Sequence, residues 1–155
     1  MEAPLSDAGS RVRELLQRIA TAAGIDAAVE IREEADCVTG EYVGDDLSVL
    51  IGRHGQTIDA IQHLAYRIAV DRDQERKRVV VDAAGYRERR AVALCAAADQ
   101  AAESAVSDHK PVSLEAMSPL ERKIIHEHLK TRHDVETYSE GQEPARRLVV
   151  APLVD

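Results

Sequence analysis

The spacing of apolar residues in the first half of the chain predicts one helix and three strands. Apolar positions recur every three or four residues over about 7–23, as in an amphipathic helix. Apolar and polar residues alternate at about 27–33, and a second segment at about 37–43 follows a polar turn, which predicts a β-hairpin. The pattern leaves open which face of that second strand is buried. A valine run at 79–81 predicts a third strand, with 73–77 as its approach turn.

Two helices joined by a glycine turn are predicted between the second and third strands. Asp45 or Asp46 is the expected N-cap of the first helix, and the turn at 52–55 contains two glycines. The apolar positions are Leu47, Leu50 and Ile51 in the first helix, and Ile58, Ile61, Ala65 and Ile68 in the second. Their spacing places them on one face of each helix, toward a core.

The second half of the chain predicts two further helices and a closing hairpin. A long helix is expected at about 85–106, and Ser118 and Glu121 form the capping box that starts another. Strands are expected at 135–139 and 147–151. The expected core positions are Ala91, Leu94, Ala98, Ala101 and Ala105 in the long helix, and Leu120, Ile124, Ile125 and Leu129 in the shorter one.

The chain is acidic overall, but its charges are unevenly distributed. The net charge is −8 and the pI is about 5.3, which by itself argues against a polyanionic partner. Residues 1–52 contain 4 Lys or Arg and 11 Asp or Glu, whereas residues 53–155 contain 16 and 17. The basic residues of the second region form clusters: Arg76, Lys77 and Arg78; Arg87, Arg89 and Arg90; Arg122 and Lys123; Arg146 and Arg147. A solvated surface explains each cluster equally well.

Composition also excludes several classes of protein. No apolar run approaches 18 residues and the start is polar and acidic, so we expect a cytoplasmic protein without membrane contact. The chain contains no Phe, no Trp and 4 Tyr, too few for the aromatic platform of an RRM or an OB-fold. Cys37 and Cys95 are far apart and outside any C-x-x-C motif, so we expect two buried thiols rather than a disulfide or a zinc site.

The glycine turn at 52–55 has the chemistry of a phosphate site. Because glycine lacks Cβ, main-chain N–H groups can approach a phosphate closely, and the N-terminus of the next helix adds unpaired donors. Arg53 supplies a fixed cation and His54 a conditional one. A P-loop does not fit, because Gln56 stands where that motif needs Lys and no second glycine stands at the right upstream distance. The alternative is a helix corner in which glycine acts only as a C-cap.

The residues around this turn resemble the K-homology (KH) module, whose Gly-x-x-Gly loop clamps the backbone of about four nucleotides. The predicted order of elements, helix, strand, strand, helix, helix, strand, is that of the type II KH fold. The resemblance implies an α+β KH domain over residues 1–84, including a short acidic leader at 1–6. The residues it assigns to nucleic acid are Ile51, Gly52, Arg53, His54, Gly55, Gln56 and Thr57.

Polar residues four positions apart mark the shorter C-terminal helix. Arg122, His126 and Lys130 form one stripe there, suited to a track of phosphates. With the hairpin that follows, the Arg-x-x-x-His spacing resembles the R-3-H domain, which is associated with single-stranded nucleic acid. The resemblance implies a small α/β domain over residues 85–155, including a long helix at 85–107.

Two further interpretations concern the histidines and the hairpin. Arg146 and Arg147 are added to the R-3-H contacts by the resemblance. For His126, the alternative is a partly buried side chain bonded to a backbone carbonyl. His126, His128 and His133 raise a metal-dependent hydrolase as a rival, but positions 126 and 128 diverge by about 200° around a helix, so no metal ligand set is expected.

A KH module followed by an R-3-H module resembles the Jag family of bacterial RNA-binding proteins, also called KhpB. The resemblance covers about residues 7–152, and many family members carry an additional N-terminal Jag-N domain where this sequence shows a short acidic leader. It implies binding of single-stranded RNA without catalysis or a cofactor, a role in post-transcriptional regulation, and a small KH-only protein as a partner. Single-stranded DNA as the ligand, or a protein–protein adaptor with degenerate surfaces, are the alternatives.

Overall fold

The computed structural model describes residues 4–70 and 77–153. It divides the chain into two compact units, Met1–Arg87 and Glu88–Asp155. The first three residues of the predicted leader lie outside the described residues. So does the predicted approach turn, except for Lys77.

The first unit has the predicted order of helices and strands. Its elements are α1 (Asp7–Ala22), β1 (Ala28–Glu33), β2 (Cys37–Val43), α2 (Ser48–Ile51), a 3-10 turn (Arg53–Gly55), α3 (Gln56–Ala69) and β3 (Arg78–Ala83). The strands form one sheet in the order β1-β2-β3, in which β1 and β2 are antiparallel and β2 and β3 are parallel. This is the arrangement expected of the type II KH fold.

Helices α1 and α3 pack against this sheet, and the contact decides which face of β2 is buried. Val38, Gly40 and Tyr42 are buried, and a Cβ added at Gly40 would lie 2.5 Å from a methyl carbon of Leu16 on α1. The Tyr42 hydroxyl donates to the Leu16 carbonyl at 2.8 Å, and burial raises the pKa of Tyr42. Glycine at position 40 therefore lets α1 approach the sheet closely.

Two predictions near the glycine turn are wrong in detail. The N-cap position of α2 is occupied by Leu47, and Asp46 acts one residue earlier by accepting from the Ser48 N–H at 3.1 Å. Hydrogen bonds from the Ser48 hydroxyl and amide lower the pKa of the Asp46 carboxyl. In α3, Ile68 is 39% exposed, and Ala69 is buried instead. The predicted helical spacing is therefore correct, but its last apolar position is misassigned.

The second unit consists of a long helix, a short helix and a three-stranded antiparallel sheet. Its elements are α4 (Tyr86–Asp108), whose first two residues belong to the first unit, β4 (Val112–Ala116), α5 (Pro119–Leu129), β5 (Val135–Glu140) and β6 (Arg147–Pro152). The strand order is β4-β6-β5. The sequence patterns do not predict β4, a five-residue strand whose partner, β6, lies about thirty residues further along the chain.

The core of the second unit is made mainly of small and aliphatic side chains. Its fully buried members include Ala98, Ala102, Ala105, Ile125 and Val150. The predicted core position Leu120 is 60% exposed, because the capping box at Ser118 starts α5 with that residue pointing to solvent. Ala91 is only partly buried, as is Cys95, which was expected to be buried like Cys37.

Candidate nucleic-acid interface

Three of the four residues in the glycine turn have positive backbone φ angles, which only certain residue types adopt readily. Gly52 has φ 73° and ψ −179°, a conformation essentially confined to glycine, and Gly55 is left-handed with φ 79°. His54 between them is also left-handed, with φ 51°, a region in which histidine is enriched. The Gly52 N–H donates to the Ser48 carbonyl at 2.9 Å and so ends α2. Gly52 therefore acts as the C-cap of α2, as the alternative interpretation predicted. That role does not explain the positive φ angles of His54 and Gly55.

Close neighbours add a second reason for each glycine. A Cβ on Gly52 would lie 2.1 Å from the Thr57 hydroxyl oxygen, and a Cβ on Gly55 would lie 2.7 Å from ring carbon Cε1 of Tyr86. Distances below 3.0 Å are not tolerated by real Cβ atoms without movement of a neighbour. Thr57 and Tyr86 thus lie close to the two ends of the turn and leave no room for a Cβ at either glycine.

The start of α3 is the electropositive part of this turn. Gly55 occupies the N-cap position, and within the described residues no side chain caps this end of the helix. The first N–H groups of a helix carry partial positive charge and favour an anion. Arg53, Gln56 and Thr57 are exposed around it, and His54 is half-buried. This arrangement can bind a phosphate through backbone donors with a cation beside it.

An apolar surface adjoins the turn on α2. Val49 is 58% exposed and Ile51 is half-buried against the core. Ile58 on α3 is completely buried, so it supports the core and cannot contact a base. Next to the turn, aliphatic contact with a ligand is therefore available from Val49 and Ile51 but not from Ile58.

Arginine at the predicted R-3-H position is a structural side chain. Arg122 is 8% exposed, and its guanidinium donates to the Met117 carbonyl at 2.6 Å and to the Arg146 carbonyl at 3.5 Å. It also donates to the Glu143 carboxylate, in the loop between β5 and β6. These bonds tie α5 to the closing hairpin. The prediction that Arg122 lies on an open track for phosphates is corrected accordingly.

A groove of about 380 Å³ opens between α5 and the sheet. Its lining is Pro119, Arg122, Lys123, His126, Thr137, Tyr138, Ser139 and Leu148. Lys123 and His126 are exposed at its edge, and Leu148 is a buried member of the core below. Cations, hydroxyl groups and an apolar floor together suit a polar anionic ligand such as a nucleotide. Lys123, Thr137 and Ser139 were not among the predicted site residues. Thr137 and Ser139 are two positions apart in a predicted strand, so the sequence already placed their hydroxyls on one face of it.

His126 is exposed, and its ring nitrogen Nδ1 lies within hydrogen-bonding distance of the Thr137 hydroxyl. The alternative of a histidine bonded to a backbone carbonyl is therefore not observed. Lys130 is exposed at the C-cap of α5, beyond the groove. Arg146 and Arg147 are exposed as well, but Arg147 alternates with the core residue Leu148 and so faces the other side of the sheet. Of the predicted R-3-H residues, the groove brings together Arg122 and His126.

Two arginines of the basic cluster at the start of α4 are engaged in ion pairs. Arg87 pairs with Asp59 at 2.7 Å, and Arg90 pairs with Glu121 at 2.7 Å. Each arginine side chain is about a quarter exposed. We therefore leave both out of the nucleic-acid interface.

Neither a metal site nor a membrane span is found in the described part of the chain. Residues 4–70 and 77–153 contain no group of three or more His, Cys, Asp or Glu placed to hold a metal ion. Within the same ranges, none of the helices is both long enough and apolar enough to cross a membrane.

Comparison with known proteins assigns each unit to a family. The KhpA/KhpB KH domain model matches residues 10–81, and the R-3-H domain model matches residues 92–152. A protein that contains both, in this order, is a tandem KH and R-3-H protein. The chain belongs to the KhpB, or Jag, family.

Several relatives carry the name RNA-binding protein KhpB. The one from Clostridium symbiosum is 36% identical over 127 residues, which are 82% of this chain and 57% of the relative. The one from Lactiplantibacillus plantarum is 43% identical over 103 residues, 66% of this chain and 32% of the relative. The one from Bacillus subtilis is 35% identical over 139 residues, 88% of this chain and 66% of the relative. The chain thus spans less than two thirds of the length of each.

Proposed function

We propose that this chain binds single-stranded RNA without catalysis, with the Gly52–Gly55 turn as the principal clamp and the groove beside α5 as a second site. The observation that carries the proposal is the open N-terminus of α3 behind a turn whose two glycines have positive φ. RNA rather than DNA is chosen because the relatives are named RNA-binding proteins.

In the first site, phosphates of the strand contact N–H groups of the first turn of α3 and the exposed Arg53 side chain, because the N–H groups of both turn glycines already donate to backbone carbonyls. His54 adds charge when it is protonated. Unstacked bases contact the apolar surface of α2 at Val49 and Ile51, since KH domains grip the strand rather than stack bases on an aromatic sheet. This division assigns affinity to the turn and base contact to α2.

In the second site, Lys123 and His126 contact phosphate, and the hydroxyls of Thr137 and Ser139 contact the sugar or phosphate. Arg122 positions α5 and the hairpin around the groove rather than meeting the strand. Two linked weak sites raise overall affinity, because the second binds at high effective concentration once the first is occupied.

The acidic character of residues 1–52 does not oppose this proposal. A net charge of −8 on the whole chain disfavours unselective binding to polyanions, and local cations at the two sites supply the attraction. An RNA strand that binds at both sites is therefore favoured over one that contacts the acidic surface.

The test is equilibrium binding to RNA and DNA strands of the same short sequence across a salt series. With three or four phosphate contacts, the slope of log affinity against log salt is expected to be about −2 to −3. The double variant Arg53→Asp/His54→Asp should lose most of the binding. Aspartate is suited to position 54 because Asp, like His, is tolerated in left-handed backbone.

A matched control carries the same change of charge elsewhere on α3. His63 and Arg67 are both exposed on that helix, so His63→Asp/Arg67→Asp alters the net charge identically while leaving the turn intact. This control should keep affinity within about threefold, since screened charges at that distance act weakly. Equal losses in the two double variants would assign binding to general electrostatics and refute the clamp.

The two alternatives predict different outcomes in the same experiment. A protein specific for single-stranded DNA would bind the DNA strand at least as well as the RNA strand, because it makes no use of the 2′-hydroxyl. A protein–protein adaptor would bind neither polymer at any salt concentration. Either result would overturn the RNA-binding proposal.

The proposal also includes a cellular setting. We propose a cytoplasmic location, a role in post-transcriptional regulation and a small KH-only protein as partner, and membership of the KhpB family supports all three. Co-purification of the chain with RNA and with a KH-only protein from the cytoplasmic fraction is the check. Recovery of the chain in the membrane fraction, without RNA, would contradict it.

A further inference from the structure

Tyr86, the first residue of α4, lies directly against the second glycine of the turn. The Cβ that Gly55 lacks would be 2.7 Å from Cε1 of the Tyr86 ring and 3.3 Å from its hydroxyl oxygen. The ring is half-buried and also packs against the core of the first unit. Gly55 itself is buried, so the ring covers the base of the turn.

The next residue, Arg87, fixes the start of α4 to the elements around the turn. Its Nε donates to the Val81 carbonyl at 2.9 Å, and its two terminal nitrogens donate to Asp59 at 2.7 Å and Gln62 at 3.1 Å on α3. Gln62 in turn accepts from the Val81 N–H at 2.9 Å. Edge strand β3 and helix α3 are thereby joined through one guanidinium.

Acidic side chains hold the backbone that leads into α4. Asp82 accepts from the Arg87 N–H at 3.2 Å and from the Ala83 N–H at 2.8 Å. Glu41 on β2 accepts from the Gly85 N–H at 3.1 Å. The position of the Tyr86 ring is therefore set from β2, β3 and α3, and not by the helix alone.

Tyr86 and Arg87 lie beyond the segment that defines the KH domain by similarity. The KH match ends at residue 81, whereas the first compact unit extends to Arg87. The side chain that lies against Gly55 therefore comes from a segment outside the KH match.

From this placement we propose that Tyr86 is a positioning residue of the RNA clamp, because its ring holds Gly55 in the left-handed conformation that aims the start of α3 at phosphate. The inference rests on the proposed function of the turn. Without the ring, Gly55 is free to leave that conformation, since glycine populates many backbone states. Ordering the turn then has to accompany binding, which weakens affinity.

The experiment compares RNA affinity with the free energy of unfolding in urea for a set of tyrosine variants. Tyr86→Ala should weaken RNA binding about tenfold, whereas Tyr86→Phe should stay within about twofold, because the ring and not the hydroxyl is nearest to Gly55. The matched control is Tyr66→Ala. Tyr66 packs against the same core but lies ten residues beyond the start of α3, about 15 Å along the helix.

Tyr66→Ala separates positioning from stability, because it removes a similar ring from the core without touching the turn. It should lower stability in urea but keep RNA affinity within about twofold of wild type. If Tyr86→Ala does not fold, Tyr86→Leu takes its place, since leucine retains apolar volume without the flat ring. Equal affinity losses in the Tyr66 and Tyr86 variants would overturn the inference.

A double-mutant cycle with Gly55→Ala tests the contact itself. The added methyl clashes with the ring in wild type but not beside Ala at position 86, where only the backbone strain remains. Gly55→Ala should therefore lose at least about threefold less affinity in the Tyr86→Ala background than in wild type. Additive losses, within about twofold, would show that the ring does not position the turn.

Wild type and the Arg53→Asp/His54→Asp variant accompany every series. If wild type binds RNA and the Arg53→Asp/His54→Asp variant does not, the proposed function of the turn is supported. The Tyr86 variants then test only the positioning role of the ring. If wild type does not bind RNA, the proposed function fails, and with it the role assigned to Tyr86.

Discussion

The two units use their motif residues in opposite ways. In the glycine turn, Gly52 and Gly55 adopt positive backbone φ angles, and Arg53 between them is exposed. In α5, the motif arginine Arg122 is buried and bonded to two carbonyls and a carboxylate, while the neighbouring Lys123 is exposed at the groove. A motif residue can therefore shape a site or contact the ligand, and spacing alone does not distinguish the two.

The difference has a physical basis in the two residue types. Glycine contributes by what it lacks, so its role is fixed by backbone angles and close neighbours. Arginine carries five donors, and a buried guanidinium must find acceptors or destabilise the fold. At Arg122 those acceptors come from the protein, so few donors remain for phosphate.

The largest expected effect is that of Gly52→Ala. The new methyl meets the Thr57 hydroxyl oxygen at 2.1 Å in a backbone region closed to alanine, so unfolding in urea should show a loss of about 3 kcal/mol, with loss of RNA binding. Gly24→Ala is the control, because Gly24 also has positive φ but no atom within 4 Å of the added Cβ. It should cost about 1 kcal/mol and leave binding unchanged. Equal losses at both positions would mean that Thr57 does not enforce the turn.

Arg122→Ala should come next, and its effect should fall on stability. It leaves the Met117 carbonyl without its donor and removes the partner of Glu143, so we expect a loss of about 2–3 kcal/mol, below the usual range for a buried pair because Glu143 is half exposed. Lys123→Ala, one residue away and exposed, should change stability by less than about 0.5 kcal/mol. Thermal or urea unfolding of the two variants measures the contrast. If Arg122→Ala were as stable as wild type, the distinction between the two units would fail.

The double variant Lys123→Ala/His126→Ala should affect RNA binding rather than stability, in contrast to Arg122→Ala. Both side chains are exposed at the groove, so RNA affinity should fall severalfold with stability nearly unchanged. The salt slope should become shallower by about 0.7 for each phosphate that the variant no longer binds. Lys110→Ala/His133→Ala removes the same residue types at exposed positions outside the groove and is the control. An unchanged slope in the groove variant would remove the α5 groove from the interface.

Much of this fold followed from local patterns, while the site depended on tertiary contacts. Glycines, caps and apolar patterns sufficed for ten of the eleven helices and strands in the described part of the chain, because each leaves a signal within a few residues, as the Ser118 capping box does. Strand β4 was missed because five residues carry little periodicity and its partner is distant in the chain. The close approach of Tyr86 to Gly55 involves residues 31 positions apart and leaves no local pattern in the sequence. The burial of Arg122 likewise depends on carbonyls from other segments.

The smallest expected effect tests whether the turn depends on the general stability of the first unit. Burial raises the pKa of Glu33, but hydrogen bonds from the Ser6 hydroxyl and amide outweigh it and hold the pKa below its usual value. A lowered pKa in the folded state contributes stability above the unfolded pKa of about 4.3, and that contribution is lost as pH falls through the folded value. Glu33→Gln should therefore cost about 1 kcal/mol at pH 7, and the difference from wild type should shrink between about pH 5 and pH 3 in urea unfolding. RNA affinity at pH 7 should be unchanged, because Glu33 lies on β1 and the turn is held by Thr57 and Tyr86. A parallel loss of affinity would show that binding depends on the overall stability of the first unit. The contrast between a structural motif residue in α5 and a ligand-contacting turn would then be weaker.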